Sequence, residues 1–321
     1  MALSRILVPL DGSAFAETAY QHALAIAQAT GAKIFLLRVL DTHQPLDQAP
    51  DTLEWRLHRA EAQRYLNHKL ETGQRETKNT LEIESVLAEG KPAERIAQFI
   101  QDQAIDLLVL STYGISGRSD FPFGGTAHKI LTTVNVSYLI VRKVETTAQP
   151  PGYQRLLVPL DGSRKAELAI HFARKLDQKH DADIVLLHVF GIPAMTRKRP
   201  LTEQEHALRK QLIECNERSA QAYMEEVSQR LAPHHQIRIQ LEAAVNPAQR
   251  IAEVAQQEQA DLMILTAYGG AELNGWSRES ICQSLLAATD IPVLTLQDSL
   301  RLNDNGNGSN AIGHNANTAD D

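Results

Sequence analysis

The hydrophobic pattern of this chain comes in blocks that recur in a fixed order. Ile6-Leu7-Val8-Pro9 is a short apolar run ending at Asp11-Gly12-Ser13. A run of that length bounded by turn residues predicts a buried strand leading into a helix. Ser13 is a suitable N-cap, and Ala16, Ala19, Ala23, Ile26 and Ala27 follow at helical spacing as far as Gly31. Lys33–Leu40 (KIFLLRVL) predicts a second strand, apolar on both faces. In 52–71, Leu53, Leu57, Ala60, Leu66 and Leu70 recur among charges and predict an amphipathic helix. Residues 81–90 alternate apolar and polar, as a third strand would. Pro92 opens a helix reaching Gln103, and Asp106–Ser111 predicts a fourth strand. A glycine-rich stretch, 114–125, leads into a helix ending near Val134, and Tyr138–Val141 predicts a fifth strand.

The same order is then written again. RILVPLDGS at 5–13 returns as RLLVPLDGS at 155–163, and DLLVLSTYG at 106–114 returns as DLMILTAYG at 261–269. The displacement is nearly constant and far too long for a solenoid unit, so it marks two copies of a whole domain. Strands are expected at 155–159, 183–190, 236–243, 261–266 and 292–296. Helices are expected from Ser163, over 203–231, from Pro247, and between the last two strands. Strands alternating with helices predict an α/β fold in which a parallel sheet is covered on both faces, with right-handed crossovers. The domains are read as 1–146 and 153–297, joined through Pro150-Pro151-Gly152, with a polar tail at 298–321.

Composition narrows the function. The chain has 321 residues, enough for two domains of about 145 residues that each bury about two-thirds of their unfolded surface. A net charge of −7 without a basic stripe argues against nucleic acid as a partner. There is no apolar run of about 18 residues, so no membrane span is expected. MALSRILVPLDGS is not patterned as a signal peptide, and the two cysteines, Cys215 and Cys282, lack metal or redox spacing. A cytoplasmic location is the resulting expectation.

Candidate chemistry collects where two strands end. In an open parallel sheet, ligands bind beyond the C-terminal strand ends, at the point where strand order reverses. Asp11 follows the first strand, where it could accept from an adenine amino group or a ribose hydroxyl, or simply stabilise the turn. After the fourth strand come Ser111-Thr112-Tyr113-Gly114, nine residues, then Gly124-Gly125-Thr126 at a helix start. Glycines there let backbone N–H groups approach phosphate oxygens, and the helix dipole favours the anion.

LVPLDGS at both starts, LAEGKPAERI at 87–96 and STYGISGRSDFPFGGTAHKIL at 111–131 resemble the universal stress protein family. The resemblance spans nearly the whole chain, as a tandem of two such domains. It implies two doubly wound, Rossmann-like five-stranded sheets of the adenine nucleotide alpha hydrolase-like order 3-2-1-4-5. It also implies pairing through the last strand and, in some members, ATP or AMP binding. The family's phosphate motif maps to Ser111, Gly114, Gly124 and Gly125. Ser111 stands where that motif has glycine, and Gly125 where it has a hydroxyl residue, with Thr126 adjacent. The resemblance further places Pro9, Val39 and Leu110 around the base, and Mg2+ would arrive with the nucleotide.

In the second copy the motif positions are Thr266, Gly269, Glu279 and Ser280. A carboxylate at about 4 Å from a phosphate costs on the order of 1–4 kcal/mol, a tenfold to thousandfold loss of affinity. The first copy is therefore the expected nucleotide site and the second a degenerate partner. Arg118 and Lys129 flank the first copy's loop. There is no Walker lysine and no GxSxG elbow, and no general acid–base pair can be named, so catalysis is not expected. His22, His58 and His68 fall on helices without converging carboxylates, and His234-His235 falls in a loop. The sequence leaves two functions open: a nucleotide-responsive binding protein that signals to an unknown protein partner, and a nucleotide-independent adaptor acting by self-association. An adenylyl-transfer enzyme is disfavoured, because Asp11 occupies the turn where a pyrophosphate loop would lie.

Overall fold

The computed structural model describes residues 3–41, 52–112, 125–142, 150–192, 200, 202–231, 237–267 and 278–297. The first half runs β1 (Arg5–Pro9), α1 (Ala14–Thr30), β2 (Lys33–Leu40), α2 (Thr52–Glu76), β3 (Ile83–Glu89), α3 (Pro92–Asp102), β4 (Leu107–Ser111), α4 (Gly125–Thr133) and β5 (Ser137–Val141). The second runs β6 (Arg155–Leu160), α5 (Leu168–His180), β7 (Asp183–Gly191), α6 (Glu203–Leu231), β8 (Ile237–Ala244), α7 (Pro247–Gln257), β9 (Leu262–Thr266), α8 (Arg278–Ala288) and β10 (Val293–Leu296).

Among the described residues these strands form one ten-stranded sheet, ordered β3-β2-β1-β4-β5-β10-β9-β6-β7-β8. Each half has the order 3-2-1-4-5 and is parallel throughout. The halves meet through the antiparallel pair β5–β10, with Leu139 opposite Leu294. The pairing through last strands thus occurs within this chain.

Strand alternation sorts the core into two layers. Ile6, Val8, Ile34, Leu36, Leu107 and Val109 face α1 and α2, and their second-half counterparts face α5 and α6. Leu7, Phe35, Leu37, Leu108 and Leu110 face α3 and α4. Each half also closes its sheet with the same local device. The Asp106 carboxylate accepts from Ser4 N and Arg5 N at 2.9 and 3.0 Å, and Asp261 accepts from Gln154 N and Arg155 N at 2.6 and 2.8 Å. This pins the first strand of each half to the start of its fourth.

Two expectations about helices are corrected. Leu53 and Leu57 point away from the core, exposed by 63% and 52%. A 25-residue helix is about 37 Å long and outruns a seven-residue strand of about 23 Å, so only the C-terminal part of α2, with Ala62 and Leu66, packs on the sheet. α6 overhangs in the same way at Leu208 and Leu212. The helix expected from Ser163 begins at Leu168 instead. Ser163 Oγ accepts from Ala166 N as an N-cap would, but the next bonds run i to i+3, as from Ala169 N to Ala166 O, so the first turns are too tight to be α-helical.

Candidate nucleotide site of the first half

The crevice where strand order reverses lies between β1 and β4, and the residues singled out from the sequence that fall within the described chain lie at or near strand ends, in the turn after β1 and at the start of α4. Pro9 ends β1 opposite Leu37, and Leu10 N donates to Leu37 O at 2.8 Å, which holds the following turn against β2. Gly12 sits at φ +88°, a left-handed conformation in which a Cβ would lie 3.1 Å from the Arg38 guanidinium. Asp11 Oδ1 accepts from Ser13 N at 2.9 Å, and Ser13 Oγ caps α1 through Ala16 N at 3.2 Å. Asp161 and Ser163 repeat the first of these bonds at 2.9 Å. The turn-stabilising role of Asp11 is therefore realised, and it does not distinguish the halves.

Val39 and Leu110 lie at the ends of β2 and β4 and pack into the layer beneath α3 and α4. Ser111 is half-buried at the end of β4. Gly125 is the first residue of α4 and is exposed, with nothing within 4 Å of where a Cβ would stand. Thr126 follows it, also exposed. Gly114, Gly124 and Arg118 lie outside the described residues, as do Gly269, His234 and His235 of the second half. Lys129 is 3.5 Å from Glu94 on α3. Among the described residues no group of three or more His, Cys, Asp or Glu is placed to hold a metal.

On the α1 side, a polar cluster supports the crevice that the sequence reading did not single out. Arg38 lies 5.0 Å from the Tyr65 ring, and Tyr65 Oη donates to Glu17 at 3.3 Å. Lys69 reaches the same carboxylate at 2.9 Å. Burial first, and then the Glu17 charge, holds the Tyr65 hydroxyl well above its usual range, so it remains a donor. The second half builds its own version with Glu167, Tyr223 and Arg230, Arg230 lying 2.9 Å from Glu167. The arginine under the turn is not repeated. His188 stands where Arg38 does, its Nδ1 2.8 Å from Leu160 O. The clue was available: Arg38 interrupts the otherwise apolar FLLRVL run.

The halves are locked together on both faces of the sheet. On the α1/α5 face, Tyr153 of the linker is fully buried, its hydroxyl 2.9 Å from His22 Nδ1 and its ring edge-on to His180 at 5.2 Å between centroids. On the other face Arg142, just past β5, donates to Leu286 O and Thr289 O at the C-terminal end of α8. A cation placed there also interacts favourably with the negative end of the helix dipole. His22, read from the sequence as a core or surface histidine, is thus a buried contact between halves.

Comparison with known proteins agrees with this architecture. The profile described as Universal stress protein family matches twice, at residues 3–142 and 152–297. A universal stress protein of Methanocaldococcus jannaschii is 26% identical over 144 residues, covering 43% of this chain and 82% of that protein. One from Thermus aquaticus is 30% identical over 140 residues, covering 43% of this chain and 97% of that protein. The crystal structure of a universal stress protein from Archaeoglobus fulgidus superposes on 92% of this chain and 97% of its own, with a TM-score of 0.62 at 15% identity. Each of these two relatives matches less than half of this chain, whereas the Archaeoglobus structure matches nearly all of it. This chain belongs to the universal stress protein family and carries the family's domain twice.

Proposed function

We propose that the first half binds ATP or a related adenine nucleotide, and that the second half supports it without binding one. The observation that supports this reading is the open N-terminus of α4, where Gly125 is exposed and has nothing within 4 Å of where a Cβ would stand. Backbone N–H groups at that helix start would receive the phosphates, with Gly114 and Gly124 permitting close approach. Pro9, Val39 and Leu110 would border the base, and Asp11 would offer the ribose or base an acceptor in addition to its turn bond. Ser111 and Thr126 are the polar side chains at the two ends of the phosphate loop. Mg2+ would be carried by the phosphates themselves.

In the second half the equivalent helix, α8, has Glu279 as its second residue, where a carboxylate opposes phosphate. Two functional units, 1–146 and 153–297, with the tail at 298–321 outside both, fit this division of labour. Among the described residues no general base or transition-state clamp is identified beside the crevice, and the function we propose is a nucleotide-responsive binding protein with little or no hydrolysis, placed in the cytoplasm. A protein partner would sense the loop between Thr112 and Gly125.

One observation favours a second reading. Because β5 and β10 already pair within the chain, the protein could act as a nucleotide-free adaptor, and the departures at Ser111 and Gly125 suit that role. Titration calorimetry with ATP and Mg2+ separates the two. The nucleotide reading expects binding to the wild type and none to Gly124→Glu, which gives the first half the residue of the second. Equal behaviour of the two proteins, bound or unbound, rejects it.

A further inference from the structure

One polar group beside the crevice is unaccounted for by the fold. Thr112 N donates to Val141 O at 3.1 Å, continuing the β4–β5 ladder one residue beyond the strand. The alternation that places Leu108 and Leu110 in the layer of Ala127 and Ile130 carries the Thr112 side chain to that same face, the one covered by α3 and α4. Thr112 is fully buried, and among the described residues nothing hydrogen-bonds its Oγ1. A buried hydroxyl without a partner is costly, and a valine of the same shape would carry no such penalty. The second half, at the equivalent position, has Ala267.

The first half therefore keeps an unfavourable hydroxyl just past the end of β4, on the face of the sheet that carries the helix at whose start a phosphate is expected. The second half, whose corresponding helix begins with an acidic residue in its first turn, has none. The same helix start in the first half lacks a side-chain donor at its first position, because that residue is Gly125.

We infer that Thr112 Oγ1 is a phosphate ligand: it donates to a phosphate oxygen of a nucleotide held at the N-terminus of α4, replacing the donor that Gly125 does not supply. This rests on the nucleotide reading of the first half. It assigns the hydroxyl to the phosphate, not to the base or ribose, so its loss discriminates between ligands with and without phosphate.

The test is Thr112→Val, which removes the hydroxyl and keeps the shape, beside Thr112→Ser, which keeps the hydroxyl. Binding of ATP with Mg2+ and of adenosine is measured by calorimetry, and unfolding of each ligand-free protein by urea titration. Thr112→Val is expected to weaken ATP about tenfold to a hundredfold, as for a hydrogen bond to a charged group. Adenosine affinity should stay within twofold and the urea midpoint should not fall; Thr112→Ser should bind ATP as the wild type does. Equal ATP affinity in Thr112→Val overturns the assignment while leaving the nucleotide reading intact. So does a matched loss of ATP and adenosine, or a lower urea midpoint, either of which marks the hydroxyl as structural. A wild type that binds neither ligand overturns the assignment and the nucleotide reading together.

Discussion

Replacing Tyr153 by phenylalanine tests how the two halves are held together. The residue is fully buried between α1 of one half and α5 of the other, and its hydroxyl meets His22 Nδ1 at 2.9 Å. Phenylalanine preserves the ring, including its edge contact with His180, and removes the hydroxyl that makes this bond. Leaving a buried polar partner behind costs about 1–3 kcal/mol. For domains of about 150–250 residues each kcal/mol lowers Tm by about 2–4 °C, so a drop of about 2–12 °C is expected. Tyr153→Ala removes the ring as well and should cost about 3–5 kcal/mol, as other buried aromatic truncations do. Urea unfolding followed by circular dichroism gives both values, and His22→Phe alone and combined with Tyr153→Phe completes a double-mutant cycle. A shared bond predicts a coupling of about 0.5–3 kcal/mol. Tyr153→Phe within about 0.3 kcal/mol of wild type, or strictly additive single changes, would refute the lock.

Other expectations follow from single positions. Gly73→Ala should destabilise by about 1–3 kcal/mol in the same unfolding assay, since a Cβ there would stand 1.8 Å from Tyr20 Oη. His180 is held below its usual pKa, chiefly by burial and partly by Lys179, against the opposing bond to Ala25. The unfolded chain then binds more protons just below pH 6.5, so stability falls as pH drops from there toward the lower folded value. His180→Gln should flatten the urea midpoint across that window, and an unchanged slope would show that another group titrates. Gly125→Ser should tighten ATP binding in calorimetry, because the open space at that position accepts the side chain and the hydroxyl adds a donor; weaker binding would place the phosphate elsewhere.

Much of the fold could be read from the sequence because its signals are local. The KIFLLRVL run set β2 at Lys33–Leu40, and Pro92 set the start of α3. Boundaries slipped where tertiary geometry decides. Ser163 carries the chemistry of an N-cap, yet the turns that follow it wind too tightly for an α-helix to begin before Leu168. Leu53 and Leu57 have core spacing, but the helix is longer than the strand beneath it. For the proposed site, motif spacing pointed to Ser111 and Gly125, the place after the first strand to Asp11, and the family resemblance to Pro9, Val39 and Leu110. Thr112 could not be found in this way, because a missing hydrogen-bond partner becomes visible only in three dimensions. Nor could the triad of His22, Tyr153 and His180, which joins residues 131 apart and across the linker.

The most direct test of the account is the nucleotide content of the protein as purified. The protein, isolated without added nucleotide, is heat-denatured, and the released material is identified by chromatography and mass spectrometry. The account predicts adenine nucleotide at about one per chain, bound in the first half and excluded by Glu279 from the second. About two per chain would contradict the closed second half. Release of none, with no heat on adding ATP and Mg2+, would contradict the nucleotide site itself.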